Sequence, residues 1–254
     1  MKKKLKISLL VWYYLPDFIK SVFPQRFVTK NNKSLLKLLR ISKNNLGKVI
    51  IIGACDGLSF DDLLPELLNE AQIKHPNKFQ ILFVEPVPYY FEKLKKNIDS
   101  FFPNLSNTIF LNKAIHKTKT EEIIYSVNPT EIVKHNLPDW LNGCSTFFRD
   151  DLVNKFNIKE EQIISTKVNC QSFDKTLEVF TNLGIAKFWY LQIDTEGYDA
   201  EILKMIDFKK YHFDVIKFEK INLSTADLKD IQKKLEIQYY LFNFSEDIVA
   251  INKQ

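Results

Sequence analysis

Cysteine is scarce and scattered: Cys55, Cys144 and Cys170 are the only three, an odd number with no C-x-x-C spacing, and the chain has four histidines. That excludes a disulfide framework and a zinc knuckle and fits a reducing compartment. No apolar run approaches the roughly 20 residues that a bilayer-spanning helix needs. The run from Ile7 to Leu15 follows Lys2, Lys3, Lys4 and Lys6 as in a leader peptide, but no small-x-small cleavage site precedes Asp17, Lys20 and Arg26. Charge of one sign is not concentrated either. Lys and Arg number 36 against 31 Asp and Glu, a formal net charge of +5, and they are spread along the chain with no basic and aromatic recognition stretch, which argues against a nucleic-acid partner. Neither G-x-G-x-x-G nor G-K-[ST] occurs, so no standard cradle for a dinucleotide or a triphosphate is present. Internal repeats and low-complexity linkers are absent.

What remains is enough for one substantial core: 254 residues, 45% hydrophobic. Residues 1–46 read as an N-terminal segment ahead of a domain at 47–254. The segment is expected to pack as a helix on the domain or on a second copy, or to lie in a membrane interface with its lysines near anionic lipid and Trp12, Tyr13 and Tyr14 among headgroups. A cytoplasmic chain, with or without peripheral membrane contact, is the expectation.

From Lys48 the pattern alternates between strands and helices. "KVIIIGA" is a β-branched run ended by glycine, and a helical stretch follows from about Phe60 to Ala71. "FQILFVEP" is a second strand stopped by Pro86, "YYFEKLKKNI" has helical spacing, and "TIFLNKAI" (Thr108 to Ile115) reads as a third strand. Residues 117–171 are less regular, with strands expected at Glu122 to Val127 and Ile164 to Val168 around a polar loop at Asn142 to Ser145. "FWYLQID" and "DVIKFEK" are buried strands with a helix between them, and "QYYLFNF" and "DIVAIN" make a hairpin about Ser245 and Glu246. The fold class is α/β: an open, mainly parallel sheet with helices on both faces and a C-terminal antiparallel hairpin. Ligands of such sheets bind beyond the carboxyl ends of the strands.

The first strand ends in the turn Gly53, Ala54, Cys55, Asp56, Gly57, whose glycines let backbone approach a ligand closely. The second ends at Glu85 and Pro86, and an acid there can accept hydrogen bonds from both hydroxyls of a ribose. An adenosine-containing ligand is implied. Asp56 would repel a pyrophosphate, whereas a carboxylate suits a cation. S-adenosylmethionine combines a ribose with a sulfonium and an ammonium and carries no phosphate, so these residues favour it, with Asp56 or the adjoining backbone facing its methionine end.

"VIIIGACDGLSF", "LFVEPVPYYFEKLKKN", "FWYLQIDTEGYDAEIL" and "IKFEKINL", in that order, resemble the FkbM family of S-adenosylmethionine-dependent methyltransferases. The resemblance covers Lys48 to Asn252, is weakest between Lys117 and Gln171, and is most specific in "IDTEGYDAEIL", where Asp199 replaces the usual glutamate. Ile51 stands where an acid often precedes the glycines, and Gln192 where a lysine often precedes the central acid. The resemblance implies a class I methyltransferase (Rossmann-like) fold and methyl transfer to a hydroxyl of a sugar, glycan or secondary metabolite. By the layout of that fold, Ala114 borders the adenine.

Asp194, at the end of a central strand, is the first candidate to orient an acceptor hydroxyl and take its proton. Glu219, ending the next strand, and His116, past the third, are further catalytic candidates. Glu196, Lys220 and Ser145 are candidate contacts to the acceptor, while Asp199 and Glu201 read as capping and surface acids. Asp194, Glu219 and Asn222 are compatible with Mg²⁺, which the resemblance does not imply, so no metal is assigned. The rival readings are a non-catalytic nucleoside-binding module and a nucleotide-sugar or NAD-type enzyme on the same fold. Homo-oligomerisation is compatible with the sequence.

Overall fold

The computed structural model describes residues 47–59, 63–74, 79–183 and 187–253, together with 7–9, 12, 15 and 28–29. The parallel core begins with β1 (Lys48–Ile52), a β-branched strand buried along its whole length, as expected where helices cover both faces of a sheet. There follow α1 (Leu64–Lys74), β2 (Gln80–Val84), α2 (Pro88–Phe101) and β3 (Thr108–Leu111). After an insertion the sheet resumes with β8 (Lys187–Ile193), α6 (Asp199–Met205), β9 (His212–Glu219), α7 (Thr225–Leu235), β10 (Tyr239–Phe244) and β11 (Asp247–Asn252).

The seven strands lie in the order β10-β11-β9-β8-β1-β2-β3. All pairings are parallel except those of β11, which runs antiparallel between β9 and β10. This is the class I methyltransferase arrangement, and the hairpin turns at Ser245 and Glu246 as expected. The chain winds outward from β1 to β3, then returns to the other side of β1 as β8. The crevice of such a sheet therefore opens between the ends of β1 and β8, where Ile52 pairs with Ile193. Alternation along each strand divides the core between the faces: Val49, Ile51, Phe83, Tyr190 and Val249 pack on one side, Ile50, Ile52, Leu82, Leu191 and Ile216 on the other.

The single strand expected from Thr108 to Ile115 is two. The Asn112 amide donates to the carbonyls of Glu85 (2.9 Å) and Pro86 (3.0 Å), which pins the chain and turns it out of the main sheet. Beyond it, β4 (Ala114–Ile115) joins a second sheet with β5 (Glu121–Val127), β6 (Ser145–Thr146) and β7 (Ile163–Gln171), in the order β4-β7-β5-β6. The irregular stretch is thus a structured insertion, with β5 and β7 paired from Glu121 and Asn169 to Val127 and Ile163. It has a core of its own: Val127, Ile132, Leu141, Cys144, Leu152 and Ile158. Its helices α3 (Pro129–Lys134) and α4 (Arg149–Asn154) are short, and α5 (Phe173–Leu177) leads back to the sheet.

In the N-terminal segment, Ile7–Ser8 and Val28–Thr29 form a two-residue parallel pair. Leu9 and Trp12 are helical and buried in the main core. Trp12 meets Tyr240 and Phe242 edge-on, with ring centroids 5.0 and 5.2 Å away. Its ring faces the hairpin, not a headgroup layer. Tyr13, Tyr14 and the lysines of the start lie outside the described residues. Among the described residues, no helix is long and apolar enough to cross a membrane.

Candidate active site

A cavity of about 1380 Å³ opens at the carboxyl ends of β1, β2, β8 and β9, walled by the hairpin turn and the insertion. Gly53 (φ +77°) begins the turn after β1, and both its N–H and that of Ala54 donate to the Val84 carbonyl. A Cβ at position 53 would lie 1.6 Å from the Asp194 carbonyl oxygen, so only glycine lets these two strand ends meet. Cys55 follows with φ +46°, and its N–H donates to Glu85 Oε2 at 2.9 Å. Glu85 Oε1 receives the Val87 N–H at 2.8 Å. Burial pushes the Glu85 carboxyl up to about 8, and the two N–H donors pull the other way. The Asp56 carboxylate closes the turn upon itself, accepting from the Leu58 and Ser59 N–H groups and, at 2.6 Å, from the Ser59 hydroxyl.

Across the cleft, Asp194 continues β8, its N–H donating to the Ile52 carbonyl at 3.0 Å. Asp194, Glu196 and Glu219 each bring a carboxylate oxygen within 4.8 Å of the other two. The Asn222 amide nitrogen bridges two of them, at 2.8 Å from Glu196 Oε2 and 3.1 Å from Glu219 Oε2. Burial raises the Glu219 carboxyl, and the charges of Asp194 and Glu196 raise it further. Burial likewise raises Glu196, opposed by hydrogen bonds from Cys144 and Asn222. Like charges this close retain a proton among them unless a cation joins them. Three carboxylates at this spacing suit an oxygen-seeking ion. Asn222, however, turns its nitrogen to the acids, which does not fit the ligand role the sequence suggested for it.

The turn residues Gly53 to Gly57, Glu85, Pro86, Ala114, Ser145, Asp194, Glu196 and Glu219 all line this one cavity. Two candidates do not. His116 Nδ1 accepts the N–H groups of Thr118 and Lys119, and the ring stacks on Tyr198 at 5.5 Å, so it holds a turn and is not placed as a base. Lys220 is engaged elsewhere: its ammonium donates to the carbonyls of Phe244, Ser245 and Asp247, fastening the hairpin turn to β9. Asp199 also differs from the surface acid expected. It is fully buried and accepts from the Thr195 N–H and hydroxyl and from the Glu219 N–H, tying the two acid-bearing loops together.

Sequence reasoning missed how the insertion is fastened to these acids. Thr146 Oγ1 donates to the Glu196 carbonyl at 2.8 Å, two residues after Cys144, which is buried in the insertion core. The loop "NGCST" carried that signal only in its small, polar composition. Trp140, Phe156 and Lys217 also line the cavity, and nothing in their spacing marked them.

The model of the methyltransferase FkbM domain matches residues 52–242, most of the chain. No curated protein matches it. Among solved structures, the FkbM methyltransferase of Methylobacillus flagellatus KT is 12% identical, with a TM-score of 0.45; the match covers 81% of this chain and 43% of that one, less than half its length. The N-terminal domain of human METTL16 in complex with SAH is 13% identical, with a TM-score of 0.41, covering 88% of this chain and 70% of that one. Fibrillarin of Methanococcus jannaschii is 12% identical, with a TM-score of 0.37, covering 81% of this chain and 66% of that one. With the domain model spanning the glycine turn, the Glu85 strand end and the acid-bearing ends of β8 and β9, the chain belongs to the FkbM family of methyltransferases.

Proposed function

We propose that the chain transfers a methyl group from S-adenosylmethionine to a hydroxyl oxygen of a sugar, glycan or secondary metabolite. The observation that carries this is the contact of Gly53 with Asp194: a Cβ there would lie 1.6 Å from the Asp194 carbonyl oxygen, so the nucleoside-cradling turn and the acid ending β8 adjoin in one pocket. The residues fit the cofactor. Each Glu85 oxygen takes one backbone N–H and keeps a lone pair for a ribose hydroxyl. Three carboxylates opposite favour a cation and oppose a phosphate. Asp56 is committed to its own turn, so the methionine end would face backbone and the Asp194 side of the cleft.

When bound, the cofactor supplies an electrophilic methyl carbon on a positively charged sulfur. Asp194 would accept the hydrogen bond of the acceptor hydroxyl, aim its lone pair and take the proton as the oxygen gains its methyl group. Glu219, biased towards its protonated form, would donate to a neighbouring acceptor oxygen, and Glu196 would accept from a further hydroxyl.

Calorimetry with S-adenosylhomocysteine tests the cofactor site, and absence of binding removes the whole reading. Asp194→Ala is expected to bind that product normally and to lower methyl transfer by about 10²- to 10⁴-fold. Unchanged turnover would remove Asp194 from the chemistry.

A further inference from the structure

Trp12 and Trp189 are 2% and 5% exposed, whereas Trp140 is 49% exposed and lines the cleft. Its backbone is also anchored, and its indole has an aromatic neighbour. Trp140 sits on a single 3₁₀ turn, Asp139–Asn142. The next residue, Leu141, is buried in the insertion core, and the following carbonyl, of Asn142, accepts from the Tyr90 hydroxyl. Phe156 props the indole edge-on, with centroids 5.0 Å apart and the rings at 77°. A half-exposed indole braced by Phe156 on a cavity wall presents flat apolar surface to the cleft.

The same segment reaches the acids. Six residues after Trp140 the Thr146 hydroxyl bonds to the Glu196 carbonyl at 2.8 Å. The cleft is thus lined both by this aromatic pair and by the hydrogen-bond acceptors Asp194, Glu196 and Glu219. Its 1380 Å³ exceeds the ~300–1,000 Å³ of a pocket for one small molecule, which leaves space beside a nucleoside cofactor. We propose that Trp140, propped by Phe156, is the platform for the acceptor, and that the acceptor is an uncharged pyranose ring lying with its C–H face on the indole and its hydroxyl edge towards Asp194 and Glu219. This rests on the methyl-transfer reading.

The chemistry selects this class. The ring hydrogens of a pyranose are slightly positive and meet the negative face of an indole, while its hydroxyls require the acceptors that carboxylates offer. A purely apolar acceptor would displace water from beside the carboxylates and offer no hydrogen-bond donor in its place, and an anionic one would be repelled by them.

Acrylamide quenching of tryptophan fluorescence reads Trp140 selectively, since the other two indoles are buried. With S-adenosylhomocysteine bound, methyl α-D-mannopyranoside or methyl α-L-rhamnopyranoside is expected to lower the quenching constant roughly twofold. Sorbitol, with hydroxyls but no ring, and glucuronate, with a ring but a negative charge, are expected to leave it unchanged. Trp140→Phe should lose most of the quenching and all of the protection while binding the product cofactor as the parent does. Protection by neither pyranoside, or equal protection by sorbitol or glucuronate, overturns the proposal. Failure of the product cofactor to bind would instead bring down the methyl-transfer reading beneath it.

Discussion

At the scale of single residues, Glu85 shows how one carboxylate serves both structure and ligand. Its two oxygens hold the turn after β1 and the entry to α2 through Cys55 and Val87, and burial raises it from an ordinary value of 4.5 to about 8. The folded chain therefore holds this proton more firmly than the unfolded chain. The stability so gained is complete below about pH 4.5 and is lost as pH rises through about 8. Glu85→Gln has no such titration and keeps one carbonyl oxygen for only one of the two N–H donors. It should be less stable than the parent by about 1–3 kcal/mol at pH 5, with the gap narrowing towards pH 8. Urea unfolding at several pH values measures this, and a constant gap contradicts it. Glu85 and Asp194 were legible in the sequence because each closes an apolar strand, and a strand end fixes where a side chain goes. Asp199, Lys220 and His116 were not. Each stands one to six residues beyond a strand end, where the direction of the loop decides between core, turn and cleft, and local pattern does not encode that direction.

Among elements, the decisive event is the meeting of β1 with β8. Gly53 and Gly57 share a positive φ, +77° and +76°, but they face different neighbours. A Cβ at 53 would strike the Asp194 backbone, and one at 57 would come within 2.7 Å of a Leu94 methyl, the mobile tip of a side chain. Gly57→Ala should cost about 1–2 kcal/mol for its left-handed backbone, lowering Tm by about 2–8 °C. Gly53→Ala should not yield a cooperatively folded protein, since the adjoining strands would have to part. Thermal melts followed by circular dichroism separate the two cases, and equal losses would refute the distinction. The sequence could mark both glycines as a turn but could not rank them, because the obstacle to one lies about 140 residues away. The same limit explains the strand read through Thr108 to Ile115. Its apolar run continues past Leu111, and only the Asn112 hydrogen bonds to the Glu85 and Pro86 carbonyls assign its halves to different sheets.

For the whole molecule, the parallel core and the closing hairpin were readable because buried strands are nearly continuous apolar runs. In the insertion the two long strands were readable too, expected at Glu122 to Val127 and Ile164 to Val168 and found as β5 and β7, but their union in a sheet separate from the main one was not, because that depends on pairing across some forty residues. The N-terminal segment offered two readings that differ in what Trp12 touches. The ring packs edge-on against Tyr240 and Phe242 of β10, in the same cluster as Val49 and Val249. Trp12 is therefore an anchor that fastens the start of the chain to its C-terminal hairpin, joining the two ends of the sequence through one core. Removing it should leave a cavity lined by rings that cannot collapse together. Trp12→Ala is expected to cost about 3–5 kcal/mol, since a large aromatic is lost from a packed interior. At about 2–4 °C per kcal/mol for a chain of this size, Tm should fall by about 6–20 °C. Differential scanning calorimetry of the variant measures the loss. A Tm within a degree or two of the parent would mean that Trp12 contributes no packing there, and would return the ring to the surface role that the basic, aromatic start of the sequence suggested.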